Sequence, residues 1–155
     1  MKRLLLAHHN NCPRCPVIGA EDIPGEEYFE ILSLRFSIRV AKEMARRLEP
    51  VRIEPDAVRR WLRNVRIDER HVEHVPTGSG HGVMVTLPSG CGQPLIDGNH
   101  RAARSLRDGS EFRAVILSER QTLELLRRSM TSQIANHVWR LLEQSKPHPL
   151  DSWDD

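Results

Sequence analysis

Gly98, Asn99, His100 and Arg101 stand in a row inside "QPLIDGNHRAARSLRDG", residues 93–109, where an apolar segment gives way to an alanine-rich one. Each residue type suits the capture of an anion. Glycine lets backbone approach a ligand closely or take an unusual φ. Asparagine is a strong helix N-cap. Histidine donates to a phosphate oxygen or moves a proton near neutral pH. Arginine carries a charge independent of pH on a forked donor. A helix leaves its first backbone N–H groups unpaired, and its dipole makes that end positive, so a helix starting here completes a phosphate site. Arg104, one turn beyond Arg101, is a further candidate contact to the same ligand. The plainer alternative is a helix capped by Asp97 or Asn99, with His100 half-buried and both arginines at the surface.

A second set of chemical residues lies near the start, in "HHNNCPRC". Cys12 and Cys15 have a spacing that can hold zinc or form a redox pair. His8 or His9 would supply a third ligand, and Cys91 or a distant histidine such as His71, His74 or His81 a fourth. A second matching cysteine pair is absent, and Pro13-Arg14 does not open a helix after a strand, as a redox motif requires. The arm is therefore read as reduced and without metal. With three cysteines in 155 residues, a secreted disulfide scaffold is not expected.

These residues must be positioned by the elements around them. Residues 1–25 carry Pro13, Pro16, Gly19, Pro24 and Gly25 and read as an irregular arm. From Pro24 to Pro50, Ile31, Leu34, Ile38, Ala41, Met44 and Leu48 recur every three or four residues, which predicts a helix. "LRFSIRV" also alternates as a strand would. "VRIEP" reads as a short strand, and "PDAVRRWLRNV" as a helix with Val58, Trp61 and Leu62 inward. "VRIDERHVEHVPTGSGHG" is ambiguous and ends in a loop. "GVMVTL" and "QPLID" read as a hairpin about the turn "PSGCG". A helix from Asn99 or His100 to Gly109 follows, then the strand "EFRAVIL", then helices in "SERQTLELLRRSM" and "SQIANHVWRLLEQ". Residues 146–155 read as a tail. The expected architecture is an α+β domain over residues 26–145, a small mixed sheet packed with helices.

Composition narrows the function. A net charge of +2 and 5% aromatic residues suit neither a nucleic-acid coat protein nor a base-stacking platform. Between Arg35 and Arg70 there are 11 basic and 6 acidic residues, read as a solvated face because the signs are interspersed. No apolar run approaches the roughly 20 residues of a membrane span, and the short patch after Met1 does not resemble a secretion signal. The expectation is a cytoplasmic protein with no membrane partner.

"LIDGNHRAARSLRDG" followed by "EFRAVIL" resembles the signature of the ParB/sulfiredoxin superfamily. There a strand leads through a Gly-x-His-Arg or Gly-x-Arg-Arg turn into a helix that binds nucleotide phosphates. The resemblance spans roughly residues 51–127. It implies a ParB-like fold, with Gly98, Asn99, His100 and Arg101 on the phosphate motif and a nucleotide with Mg²⁺ as cofactor. Three departures shape what it implies. Sulfiredoxins place a reactive cysteine where this chain has Asn99, so sulfinic acid repair is not expected. About forty residues follow the last strand, without the helix-turn-helix of chromosome-partitioning proteins, so DNA binding is not supported. Phosphoryl transfer needs a carboxylate to activate an acceptor, for which Glu54 and Asp56 are the candidates beside His100. The expected function is nucleotide binding, with phosphoryl transfer or nucleotide hydrolysis if the protein is an enzyme. The alternatives are a non-catalytic nucleotide-gated module, or a small metal-stabilised interaction protein built on the cysteine arm.

Overall fold

The computed structural model describes residues 5–6, 27–75 and 80–145. Its centre is a four-stranded sheet of β4 (Val51–Ile53), β8 (Phe112–Ile116), β6 (Gly82–Met84) and β7 (Leu95–Asp97), in that order. β4 and β7 run antiparallel to their neighbours, while β6 and β8 run parallel. Parallel strands need a crossover. Here the chain passes through β7 and then α4 (Asn99–Asp108), which packs back on β6 and β8. The expected hairpin of β6 and β7 is present, with Val83 opposite Asp97 and an irregularity between Val83 and Met84. It extends to Val85, whose N–H donates to Pro94 O, and to Leu87, whose N–H donates to Gly92 O.

Residues 27–49 do not form the single helix expected. β2 (Tyr28–Ile31) and β3 (Leu34–Ser37) make an antiparallel hairpin, and only α1 (Ile38–Ala45) is helical. Alternation through a two-residue turn places Phe29, Ile31, Leu34 and Phe36 on one buried face. The turn residues Leu32 and Ser33 both have positive φ, 52° and 65°, as a tight two-residue hairpin requires. Helical period begins only at Ser37, whose Oγ accepts the Val40 N–H at 3.3 Å and caps α1.

α2 (Pro55–Leu62) and α3 (Glu69–His74) lie against α4, and β5 (Val65–Arg66) runs between them. α2 starts at Pro55 and buries Val58 and Trp61, as its pattern predicts. The ring of Trp61 meets that of Phe29 with centroids 6.3 Å apart, joining α2 to the hairpin. Within the supposed irregular arm, β1 (Leu5–Leu6) pairs parallel with β5. The remaining arm residues, Cys12 and Cys15 included, and the 146–155 tail lie outside the described residues.

α5 (Glu119–Ser129) and α6 (Ser132–Gln144) complete the fold. Ser118 and Gln121 form a reciprocal capping box at the start of α5. α5 packs on β3, α1 and α6, and contributes the buried Leu125 and Leu126. Cys91 is buried beneath the end of α6, with Sγ 3.9 Å from Leu142 O. The whole is an α+β arrangement. No helix among the described residues is long and apolar enough to cross a membrane.

Candidate functional site

β7 ends at Asp97, and the chain turns into α4 through Gly98, whose φ of 95° and ψ of 17° are left-handed. Glycine is needed there twice over. A side chain would have to adopt a disfavoured φ, and its Cβ would stand 2.9 Å from Gly82 Cα. Gly82 is under the same constraint from the other side. A Cβ on it would meet Phe112 Cζ at 2.7 Å, Asp97 O at 2.8 Å and Leu95 Cδ1 at 2.9 Å. β6 and β7 therefore approach each other, at this end of the hairpin, more closely than side chains permit.

The helix begins at Asn99, as expected, but Asn99 is not its cap. Gly98 is the N-cap, with no side-chain hydrogen bond, and its carbonyl accepts the Ala102 N–H at 2.8 Å. Asn99 turns inward and is 4% exposed. Its Oδ1 accepts the Trp61 Nε1–H at 2.7 Å, and its Nδ2 donates to Leu95 O at 2.9 Å. One buried amide thus joins α2, β7 and α4, and both its polar atoms are satisfied.

His100 is also buried. Its Nε2 accepts the Asp68 N–H at 3.2 Å, and its ring stands edge-on to His71 at 4.7 Å. An accepting nitrogen carries no proton, so this Nε2 serves the contact with α3. Arg101 turns the other way. Its Nη2 donates to Asp97 Oδ2 at 3.0 Å, with a quarter of its side chain exposed. Its Nη1 occupies the space that a side chain at Gly80 would need. The guanidinium is thus held by a carboxylate on one side and bare backbone on the other.

The remaining candidates are placed elsewhere. Arg104 donates from Nε to Asp108 Oδ2 at 2.7 Å and from Nη1 to the carbonyls of Val72 and Glu73. Glu54 N-caps α2 and Asp56 sits in its first turn, both exposed and paired with Arg52 and Arg59. α2 meets Asn99 through Trp61, near its other end. At ~1.5 Å rise per residue, that is about 10 Å along the axis from Glu54. The structure therefore brings Gly98, Arg101 and Asp97 together, with Asn99 and His100 behind them. It does not bring Glu54, Asp56 or Arg104 to the turn.

Gly80, Gly82, Trp61, Asp68 and His71 take part in this arrangement and were not singled out in the motif. The glycine density of "TGSGHG" is the one sequence signal that pointed toward it. Among the described residues, no three His, Cys, Asp or Glu side chains converge as a metal-binding group. In comparisons with known proteins, no protein-family model, no curated protein and no solved structure matches the chain.

Proposed function

We propose that the chain binds a phosphate-bearing ligand, a nucleotide in the first instance, at the turn between β7 and α4, in the manner of ParB/sulfiredoxin-type domains. The observation that carries this reading is the Arg101 guanidinium, held by Asp97 over the bare backbone of Gly80 and Gly98 at the first turn of α4. The helix end supplies N–H groups and a favourable dipole. The fork of Arg101 supplies charge and a two-oxygen grip. Asn99 and His100 act behind the site by fixing the helix that carries Arg101. Mg²⁺ is bound mainly through ligand phosphates and water with one or two carboxylates. Asp97 is a carboxylate at the turn, but its Oδ2 already holds Arg101, so an Mg²⁺ ion would be held chiefly by the phosphates of its nucleotide.

Two observations favour the binding module over the phosphotransferase or hydrolase. The accepting nitrogen of His100 faces α3, and Glu54 and Asp56 stand near the far end of α2. A general base must reach the proton it removes.

A thermal-shift screen of nucleoside triphosphates with and without Mg²⁺ identifies the best ligand, and titration calorimetry then measures its affinity. Arg101→Ala is expected to weaken binding by roughly 1.5–3 kcal/mol, the range for a hydrogen bond to a charged group. Unchanged affinity with an intact fold removes the phosphate site. Nucleotide turnover measured on the same protein separates the enzyme from the module. Metal content of the purified chain tests the third reading, based on Cys12 and Cys15.

A further inference from the structure

We propose that α3 is a docking element coupled to the β7–α4 turn, closed by two catches on α4, His100 and Arg104, and closed more firmly when ligand is bound. The coupling to ligand rests on the site reading above, whereas the hydrogen bonds that form the catches stand in the structure.

The two residues are four apart on α4, and each holds one end of the six-residue α3. His100 Nε2 accepts the N–H of Asp68, the N-cap of α3, and its ring meets His71. Arg104 Nη1 donates to Val72 O at 3.2 Å and Glu73 O at 3.0 Å. These are carbonyls that the end of a helix leaves unsatisfied, where a cation is favoured. The apolar seat is small by comparison. Val72 is the one buried residue within α3. A hollow of about 450 Å³ opens beside it, with a mixed lining that includes Leu62, Ile67 and Leu106 but also the charged Glu69 and Arg107. An element with few buried contacts opens at low free energy. Two hydrogen-bonded catches over a small seat make that opening discrete.

The link to the site runs along α4, which carries both catches and Arg101. His100 precedes Arg101 on α4. A ligand that grips Arg101 in this position favours the docked state, and by reciprocity docking of α3 favours the ligand.

Hydrogen exchange on the full chain tests both parts. Without ligand, His100→Ala and Arg104→Ala are each expected to speed exchange of amides 69–75 by roughly tenfold or more, the effect of losing one such bond. Amides of β8 and α5 should be unaffected. Should His100→Ala fail to fold, Arg104→Ala decides, because its side chain is partly exposed. Unaltered exchange in 69–75, or a uniform rise across the chain, overturns the catches. The probes for coupling are sodium tripolyphosphate and the four ribonucleoside triphosphates, each with Mg²⁺. A saturating probe should slow exchange of 69–75 in the wild type by at least about threefold and bind Arg104→Ala more weakly, as expected when the competent state is less populated. Binding without protection of α3 overturns the coupling and leaves the site standing. Absence of binding by every probe overturns both.

Discussion

Two turns of this protein solve the same geometric problem under different constraints. The β2–β3 turn places Leu32 and Ser33 at positive φ with no glycine, and Leu32 is 43% exposed. The β7–α4 turn places Gly98 at positive φ against the backbone of Gly82. In the first, dihedral strain is the whole cost, and the buried alternation of Phe29, Ile31, Leu34 and Phe36 offsets it. In the second, there is no room for a side chain whatever its φ. A turn that only closes a hairpin tolerates ordinary residues. One that must bring two backbones together beside a half-buried guanidinium does not.

Substitutions that add or remove a Cβ break or sharpen this contrast. Gly82→Ala should have the largest effect, because the methyl meets backbone as well as the Phe112 and Leu95 side chains. A loss of about 3 kcal/mol, at the upper end of overpacking costs, is expected in denaturant unfolding. A loss below ~1 kcal/mol would mean that the strands yield, and the two turns would then be alike. Gly98→Ala should cost about 2 kcal/mol, combining the left-handed penalty with the contact to Gly82 Cα. It should also weaken phosphate-ligand binding in calorimetry, since it displaces the first turn of α4. At the hairpin the sign reverses. Leu32→Asn combined with Ser33→Gly should raise stability by about 0.5–1 kcal/mol, because these residues prefer the two positive φ values. A loss of stability there would show that the exposed Leu32 side chain contributes to the fold.

Much of the sheet and the helix at the motif was legible because the signals were local and agreed. Asp97-Gly98 ended a β-rich run, Gly109 ended a helical one, and "EFRAVIL" followed as a strand. The β2–β3 hairpin was only partly legible: "LRFSIRV" alternates as a strand, but Leu32-Ser33 is not a turn pair and the spacing of Ile31, Leu34, Ile38 and Ala41 imitates a helix across the strand–helix junction. The directions of the motif side chains were hidden for a related reason. Sequence placed four residues at one helix start, but adjacent helical residues point in different directions. Asn99 and His100 turn inward to Trp61 and Asp68, partners 38 and 32 positions away, and local pattern does not reveal such contacts. Arg104 lies one turn from Arg101, so the sequence offers it as a further ligand contact or as a surface arginine. It reaches the carbonyl end of α3, an element that is ambiguous in the sequence.

β4 closes one side of the central sheet as three residues between Pro50 and Pro55, with Arg52 at its middle and Val51 exposed. A strand at a sheet margin offers unpaired peptide groups to any other chain in extended form. This one offers a very short row. Proline lacks an N–H to extend the ladder on either side, and the guanidinium of Arg52 lies between Glu54 and Glu111. The consequence concerns crowds of molecules. At high concentration, this side of the sheet is poorly suited to seed fibrous stacking, and the chain's colloidal behaviour will be set elsewhere on its surface.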